Sequence, residues 1–488
     1  MALKTSDAFL KGLSVQTIVS FGNAVLQLIV FAILSRLLSR EDFGYYAALM
    51  GITLIFMAIS DAGIGSSVIQ KRELTTRFSS TAFILSLILG IVLAVINYAL
   101  APFLADLILN QTLTAPLKWM SIPLFLCSVN GYASALLKRE LKFGVIGSSK
   151  ILSYAISSAI AILFAINQGG LYTLIILFVM DSFLYSIFLF TRVKIPKMEI
   201  GRNETKGVIN FGGWLTMGVI VTNISNQLDK LFLGKWLSVE RLGAYYRPAG
   251  FILNIIGTLN IIFDNVLFPI LSKFQDSKET FSTLLHRSYS LLSVLGTLLS
   301  FLFFFNSQLI IIVFFGKDWL ELVGVLRVTS FCAIFMLNNT LADCFIRSFN
   351  LVKSGFLIRL LGFFVTFLFL YYGAKYDVIG VAIAICLSNF LIVFFKLFFL
   401  SIKSGGKLTD YIYITFKSFI PAIPIVFVGV LLEFLPFTLF FQFLNLFILS
   451  SIIFVELVFF PKLLGEEYMC LIYPKIELFL SKINFKKK

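Results

Sequence analysis

The sequence predicts an all-α polytopic membrane protein of about fourteen transmembrane helices: two six-helix repeats forming two lobes, plus two C-terminal helices. Three observations carry this prediction. The chain has 488 residues, of which 59% are hydrophobic and only 13% charged. A soluble domain carries roughly a quarter charged residues. Uncharged runs at 78–105, 151–180 and 288–316 exceed the roughly 20 residues that cross a bilayer as a helix. Lipid offers the backbone no partners, so these runs must be helices, and the alternation of a barrel strand is not visible. The third observation is a repeat. Leu38-Ser39-Arg40-Glu41-Asp42-Phe43-Gly44-Tyr45-Tyr46 returns as Leu237-Ser238-Val239-Glu240-Arg241-Leu242-Gly243-Ala244-Tyr245, at a constant offset of 199 residues. At the same offset Arg36 falls on Lys235.

Taken in order, the first copy predicts spans at about 14–35, 44–66, 81–105, 116–137, 146–166 and 170–190. A charged linker follows, and the second copy predicts spans at about 211–234, 248–271, 288–315, 322–346, 354–373 and 378–400. Two further spans, at about 416–434 and 437–460, stand outside the repeat, and Pro421 and Pro424 are expected to kink the first of them. The domain expectation is therefore an N-terminal lobe at 1–190, a cytoplasmic linker at 191–210, and a C-terminal lobe at 211–400. Two additional helices and a basic cytoplasmic tail complete it at 401–488. Placing both termini in the cytoplasm puts most of the 40 Lys and Arg in the loops on that side, as the positive-inside rule requires. Six spans separate the two copies, so they run in the same sense and are related by an axis along the membrane normal.

The formal net charge of +15 does not point to nucleic acid, because the cations sit in short loops where they orient spans. Five scattered cysteines and a single histidine, His286, offer no metal-ligand spacing, no disulfide framework and no histidine-based catalysis. No catalytic, cofactor or metal site is expected. An uncleaved first span, rather than a removed leader, is read at the N-terminus.

Polar groups inside spans are costly and ask for a partner or a water-filled cavity. Asn23 and Gln27 stand one helical turn apart on the first span, and Asp61 lies inside the second. Further examples are Asp181, Asp264 and Asp343. In the seventh span Asn223, Asn226, Asp229 and Lys230 share a stripe, which suits either a hydrophilic cavity or interhelical hydrogen bonding. The cations Arg36, Lys230, Lys235, Arg247 and Arg327 form a second set. Paired cations in equivalent places of two repeats would suit a cargo carrying phosphate, while cations near span ends also snorkel to headgroups.

Several ordered stretches carry a resemblance to a known family. They are GLSVQTIVSFGNAVLQLIVFAILSRLLSREDFGYYA, SDAGIGSSVIQKREL, LLKRELKFG, ISNQLDKLFLGKWLSVERLGAYYRPAGF and LFPILSKFQDS. In this order they resemble bacterial polysaccharide transporters (Wzx-type O-antigen and exopolysaccharide flippases) of the multidrug/oligosaccharidyl-lipid/polysaccharide exporter superfamily. The resemblance implies a flippase of the bacterial cytoplasmic (inner) membrane that moves undecaprenyl-pyrophosphate-linked oligosaccharide repeat units by alternating access. It further implies energy from a Na+ or H+ gradient, membrane lipids as surroundings, and polysaccharide polymerase or export machinery as partners, with no nucleic acid. It places Arg36, Asp61, Asn226, Asp229 and Arg247 in family-like motifs. Lys235 stands where the family often has Arg, and Lys230 where many members are neutral. The alternative reading is a multidrug or metabolite cation antiporter of the same superfamily, which would be expected to favour carboxylates over the cations found here. A membrane enzyme would ordinarily show a large extramembrane loop with clustered catalytic groups, and the loops here are short.

Overall fold

In a computed structural model, residues 2–459 are described except 62–63, 72, 108–110, 141, 168, 203, 207, 209–219, 222, 225–226, 229, 231–235, 272–277, 350 and 435–438. Among the described residues the regular structure is helical throughout, and nine helical stretches are long and apolar enough to cross a membrane. One of these, Ser354–Ser404, is two helices joined by a 3-10 turn. Shorter apolar helices at Phe21–Leu37 and Phe441–Ile453 add to them. The all-helical polytopic architecture read from the sequence is borne out.

The chain divides into two compact units, Met1–Arg247 and Pro248–Lys488. In the first, α1 (Ala2–Leu37), α2 (Arg40–Asp61), the short α3 (Ile64–Gln70) and α4 (Thr76–Leu107) follow one another. Then come α5 (Thr114–Trp119), α6 (Ser121–Arg139), α7 (Phe143–Asn167) and α8 (Leu171–Phe190). Helix α9 (Val239–Leu271) begins within the second copy of the repeated phrase. The second unit continues with α10 (Lys278–Phe305), α11 (Ser307–Ile310), α12 (Val323–Ser330), α13 (Cys332–Ser348), α14 (Val352–Gly373) and α15 (Asp377–Ser404). It ends with α16 (Leu408–Lys417), α17 (Ile423–Glu433) and α18 (Leu439–Phe459). Where the sequence places the seventh span, at 211–234, most residues lie outside the described set.

The repeat is visible in the packing of each unit. In the first, α4 packs on α6, α6 on α8 and α7 on α8; in the second, α10 packs on α13, α13 on α15 and α14 on α15. These are the same three pairings in the order of the repeat. The thirteenth span breaks where its prolines stand. Helix α16 stops at Lys417, a 3-10 turn spans Ile420–Ala422, and Pro424 sits in the first turn of α17, where a missing N–H costs nothing. The linker after α8 runs without helix as far as Gly201, whose N–H donates to Thr81 Oγ1 at 3.0 Å near the start of α4.

The two copies of the phrase fold alike. Leu38 and Leu237 are bends, and α2 and α9 begin two residues later, at Arg40 and Val239. Ser39 caps α2: its Oγ accepts the Asp42 N–H at 3.2 Å, while Asp42 Oδ2 accepts the Ser39 N–H at 3.0 Å. This reciprocal box satisfies two donors at the helix start. In the second copy Ser238 Oγ accepts the Arg241 N–H at 3.2 Å.

The copies also touch. A Cβ added to Gly44 would lie 1.9 Å from the Val239 carbonyl oxygen, and one added to Gly243 would lie 2.0 Å from that of Arg40. Since position 44 matches 243 and position 40 matches 239, the contact is reciprocal. Each glycine lets its helix lie directly on the first turn of the other. Neither clash is with a flexible side chain, so Gly44→Ala and Gly243→Ala should each lower the melting temperature of the purified protein by several degrees, as overpacking against backbone costs about 1–3 kcal/mol. Thermal unfolding in detergent checks this, with Gly250→Ala, which meets nothing within 4 Å, as the tolerated control.

Candidate functional site

The cations expected from the sequence fall into different settings. Arg36 is exposed in the last turn of α1, where a positive charge suits the helix C-terminus. Arg247 is fully buried, the largest side chain to be so among the described residues. Its guanidinium lies 3.3 Å from the Phe43 ring centroid and 5.3 Å from that of Phe31, and Nη1 donates to the Ser35 carbonyl at 3.4 Å. Arg247 therefore closes over the turn between α1 and α2, on either side of Arg36 in sequence, through stacking on an aromatic face. Lys230 donates to Gln227 Oε1 at 2.6 Å and lies 5.3 Å from the Tyr246 ring.

In the second unit Arg327 pairs with Glu433 at 2.5 Å, donates from Nε to Ser307 Oγ at 3.2 Å, and lies over Phe304. A third or more of each partner's side chain is exposed, so this pair contributes about 1 kcal/mol at most to stability. Asn23 and Gln27 are half-buried on α1, and Asn23 Oδ1 has no hydrogen-bond partner. Asn226, Asp229 and Lys235 lie outside the described residues, as do the side chains of Asp61 and Asp264.

Each unit also holds, within a span, a carboxylate that the sequence singles out, with partners that it does not. Asp181 on α8 accepts Lys150 Nζ at 2.6 Å and Ser153 Oγ at 2.7 Å, both from α7. Asp343 on α13 meets Lys396 Nζ of α15 at 2.8 Å and Arg359 Nη2 of α14 at 3.4 Å. Lys396 is 2% exposed and donates in addition to Asn339 Oδ1 at 2.5 Å. These two clusters lock together the helix pairs and triple that the repeat packs alike. The signal for Lys150, Arg359 and Lys396 is present in the sequence as single cations inside apolar runs, such as LIVFFKLFFL. Among the described residues, no three His, Cys, Asp or Glu side chains come together as a metal site.

Among the described residues the chain is a polytopic helical membrane protein with ion pairs between helices in both compact units. The chain belongs to the polysaccharide biosynthesis protein family, whose profile matches residues 33–324. It is 24% identical over 335 residues to the lipopolysaccharide biosynthesis protein WzxC of Escherichia coli K12, covering 67% of this chain and 66% of that one. It is 21% identical to the teichuronic acid biosynthesis protein TuaB of Bacillus subtilis 168, covering 64% and 65%. The match thus spans just under two thirds of these relatives. In fold it is similar to the lipid II flippase MurJ in an inward closed conformation, with a TM-score of 0.71 at 18% identity over 91% of this chain and 99% of that one. The resemblance to polysaccharide transporters is borne out.

The Asp343 cluster makes a stability prediction. Removing one partner of a buried ion pair leaves a stranded charge and costs about 3–5 kcal/mol. Asp343→Leu, which strands the buried Lys396, should therefore lower the melting temperature markedly, and the double variant Asp343→Leu with Lys396→Met should recover part of the loss. Thermal unfolding of the three proteins in one detergent measures both.

Proposed function

We propose that this protein is a flippase that carries undecaprenyl-pyrophosphate-linked oligosaccharide repeat units of an O-antigen, capsule or exopolysaccharide across the bacterial inner membrane. It works by alternating access driven by an ion gradient. The observation that carries this reading is the combination of a polysaccharide biosynthesis family match over residues 33–324 with a fold similar to that of the lipid II flippase MurJ. The same combination favours a transporter over an enzyme.

The chemistry of the task agrees with the residues. A pyrophosphate and its sugars cannot cross hydrocarbon unaided, since each charged or hydroxyl group loses its water. Arg36, Lys230, Lys235, Arg247 and Arg327 are the cations proposed to serve the phosphates. Asn23, Gln27, Asp61, Asn226 and Asp229 are proposed as polar cavity or ion-coupling groups. Within this set Arg36 supplies an exposed cation, and Arg247 supports it by packing the α1–α2 turn over Phe43. The lobes are proposed at 1–190 and 211–400, joined by a cytoplasmic linker at 191–210, with 401–488 outside the repeat and both termini cytoplasmic. The bias of Lys and Arg towards one set of loops supports that orientation. In it, the Gly44–Gly243 junction stands at the periplasmic ends of α2 and α9, and outward opening requires those first turns to part. The lipid-linked saccharide and membrane lipids are the partners of this reading, with polymerase or export machinery downstream.

Deleting the gene in its host should abolish the surface polymer and leave pyrophosphate-linked repeat units in the cytoplasmic leaflet. Unchanged glycan with altered sensitivity to cationic compounds would overturn the reading in favour of a multidrug or metabolite antiporter. In the complemented strain, Arg36→Ala and Lys230→Ala should each cut export about tenfold at unchanged protein level, as loss of one charge-assisted phosphate contact is worth about 1.5–3 kcal/mol. Export at wild-type rates by both variants would remove these two residues from the site.

A further inference from the structure

Helix α18 lies outside the repeat and carries one charged residue, Glu456, three residues before its end. Only 3% of Glu456 is exposed, and both of its carboxyl oxygens are buried without a hydrogen-bond partner. The side chain lines a groove of about 510 Å³ together with Pro424, Phe447, Ile448, Ser451, Ile452 and Val455. The one other polar side chain there, Ser451, turns its hydroxyl back to the Phe447 carbonyl at 2.7 Å. Asp181, Asp343 and Glu433 each meet a cation; Glu456 meets none among the described residues.

The charged and titratable groups of the helices packed on α18 lie at the end of α17 and in the first half of α10. Helix α17 ends in Glu433, paired with Arg327. Helix α10 carries Lys278, Glu279, His286, Arg287 and Tyr289 in its first half. There His286 stacks on Tyr411, and Tyr289 shares a hydrogen bond with Thr415. The part of α10 that packs with α17 and α18 is apolar: Val294, Leu298, Phe301 and Phe305. Helix α11 has no titratable side chain. A carboxylate stripped of water, donors and counter-ion is strongly disfavoured, whereas the neutral acid is tolerated in an apolar groove.

We propose that Glu456 is a proton-binding site, a carboxyl group that holds H+ in this conformation and releases it only when the α17–α18 groove admits water. Its occupancy by a proton is independent of what the protein carries; only the use of that proton as the coupling ion rests on the transport reading.

The test is labelling of the full-length protein in membrane vesicles with dicyclohexylcarbodiimide, a lipid-soluble reagent that adds to protonated carboxyl groups and leaves a stable N-acylurea. Peptide mass spectrometry should find the adduct on Glu456 at neutral pH and not in Glu456→Gln. Its yield should be unaffected by excess Na+ and should fall at least about tenfold as the pH is raised through the alkaline range. In difference infrared spectra the wild type should show a protonated-carboxyl C=O band that Glu456→Gln lacks. Absence of both adduct and band would overturn the proposal. So would protection by Na+ at fixed pH, which would make the groove a metal-cation site. Because the readout is proton occupancy in the wild-type chain, its failure would leave the flippase reading untouched, and loss of the flippase reading would leave the proton site standing.

Discussion

Hydrocarbon supplies no hydrogen bonds, and the rest of this structure follows from that constraint. Every backbone donor and acceptor that enters the bilayer must be satisfied by its own segment, so the spans are helices. Every charge that enters must bring its partner along. The protein meets the second demand differently in its two units. In the first, one acid faces one cation, Asp181 with Lys150, and a serine completes the carboxylate. In the second, Asp343 serves Lys396 and Arg359 together, so a single carboxylate ties three helices. The two units thus repeat the helix pairings but not the side chains that fasten them.

Positions at which helices start and stop follow the same logic. Ser39 and Ser238 supply oxygens to the first turns of α2 and α9 where the chain leaves one helix and enters the next. Arg139 does the converse, donating Nη1 to the Val68 and Ile69 carbonyls at the end of α3. A polar side chain at a helix end here substitutes for the solvent that the end would otherwise need.

The helical class and the repeated phrase were legible in the sequence, because long apolar runs and a recurring pattern are local properties. The kink at Pro421 and Pro424 was legible for the same reason, since proline acts on its own backbone. The acids inside the spans were equally plain, but their partners were not. Lys150 stands 31 positions from Asp181, and Lys396 reaches Asp343 from a different helix, so which cation reaches which acid depends on how the helices lie. Glu456 stood out least, as one acid near the end of an apolar run resembles an interfacial residue until its burial is known. The fold of the tenth span as two helices, α12 and α13, was likewise hidden, because nothing in VTSFCAIF breaks a helix by itself.

The reciprocal contact of Gly44 with Val239 and Gly243 with Arg40 has a form that is ordinarily met between separate chains. Position i of one copy touches position j of the other, and j touches i, which is the mark of an isologous two-fold interface. A half-length chain containing one copy of the phrase could have met a second molecule of itself through this same surface, with no change of contact when the two were fused. In that light the linker between the repeats joins two copies that meet through equivalent positions, while each copy carries its own set of charges.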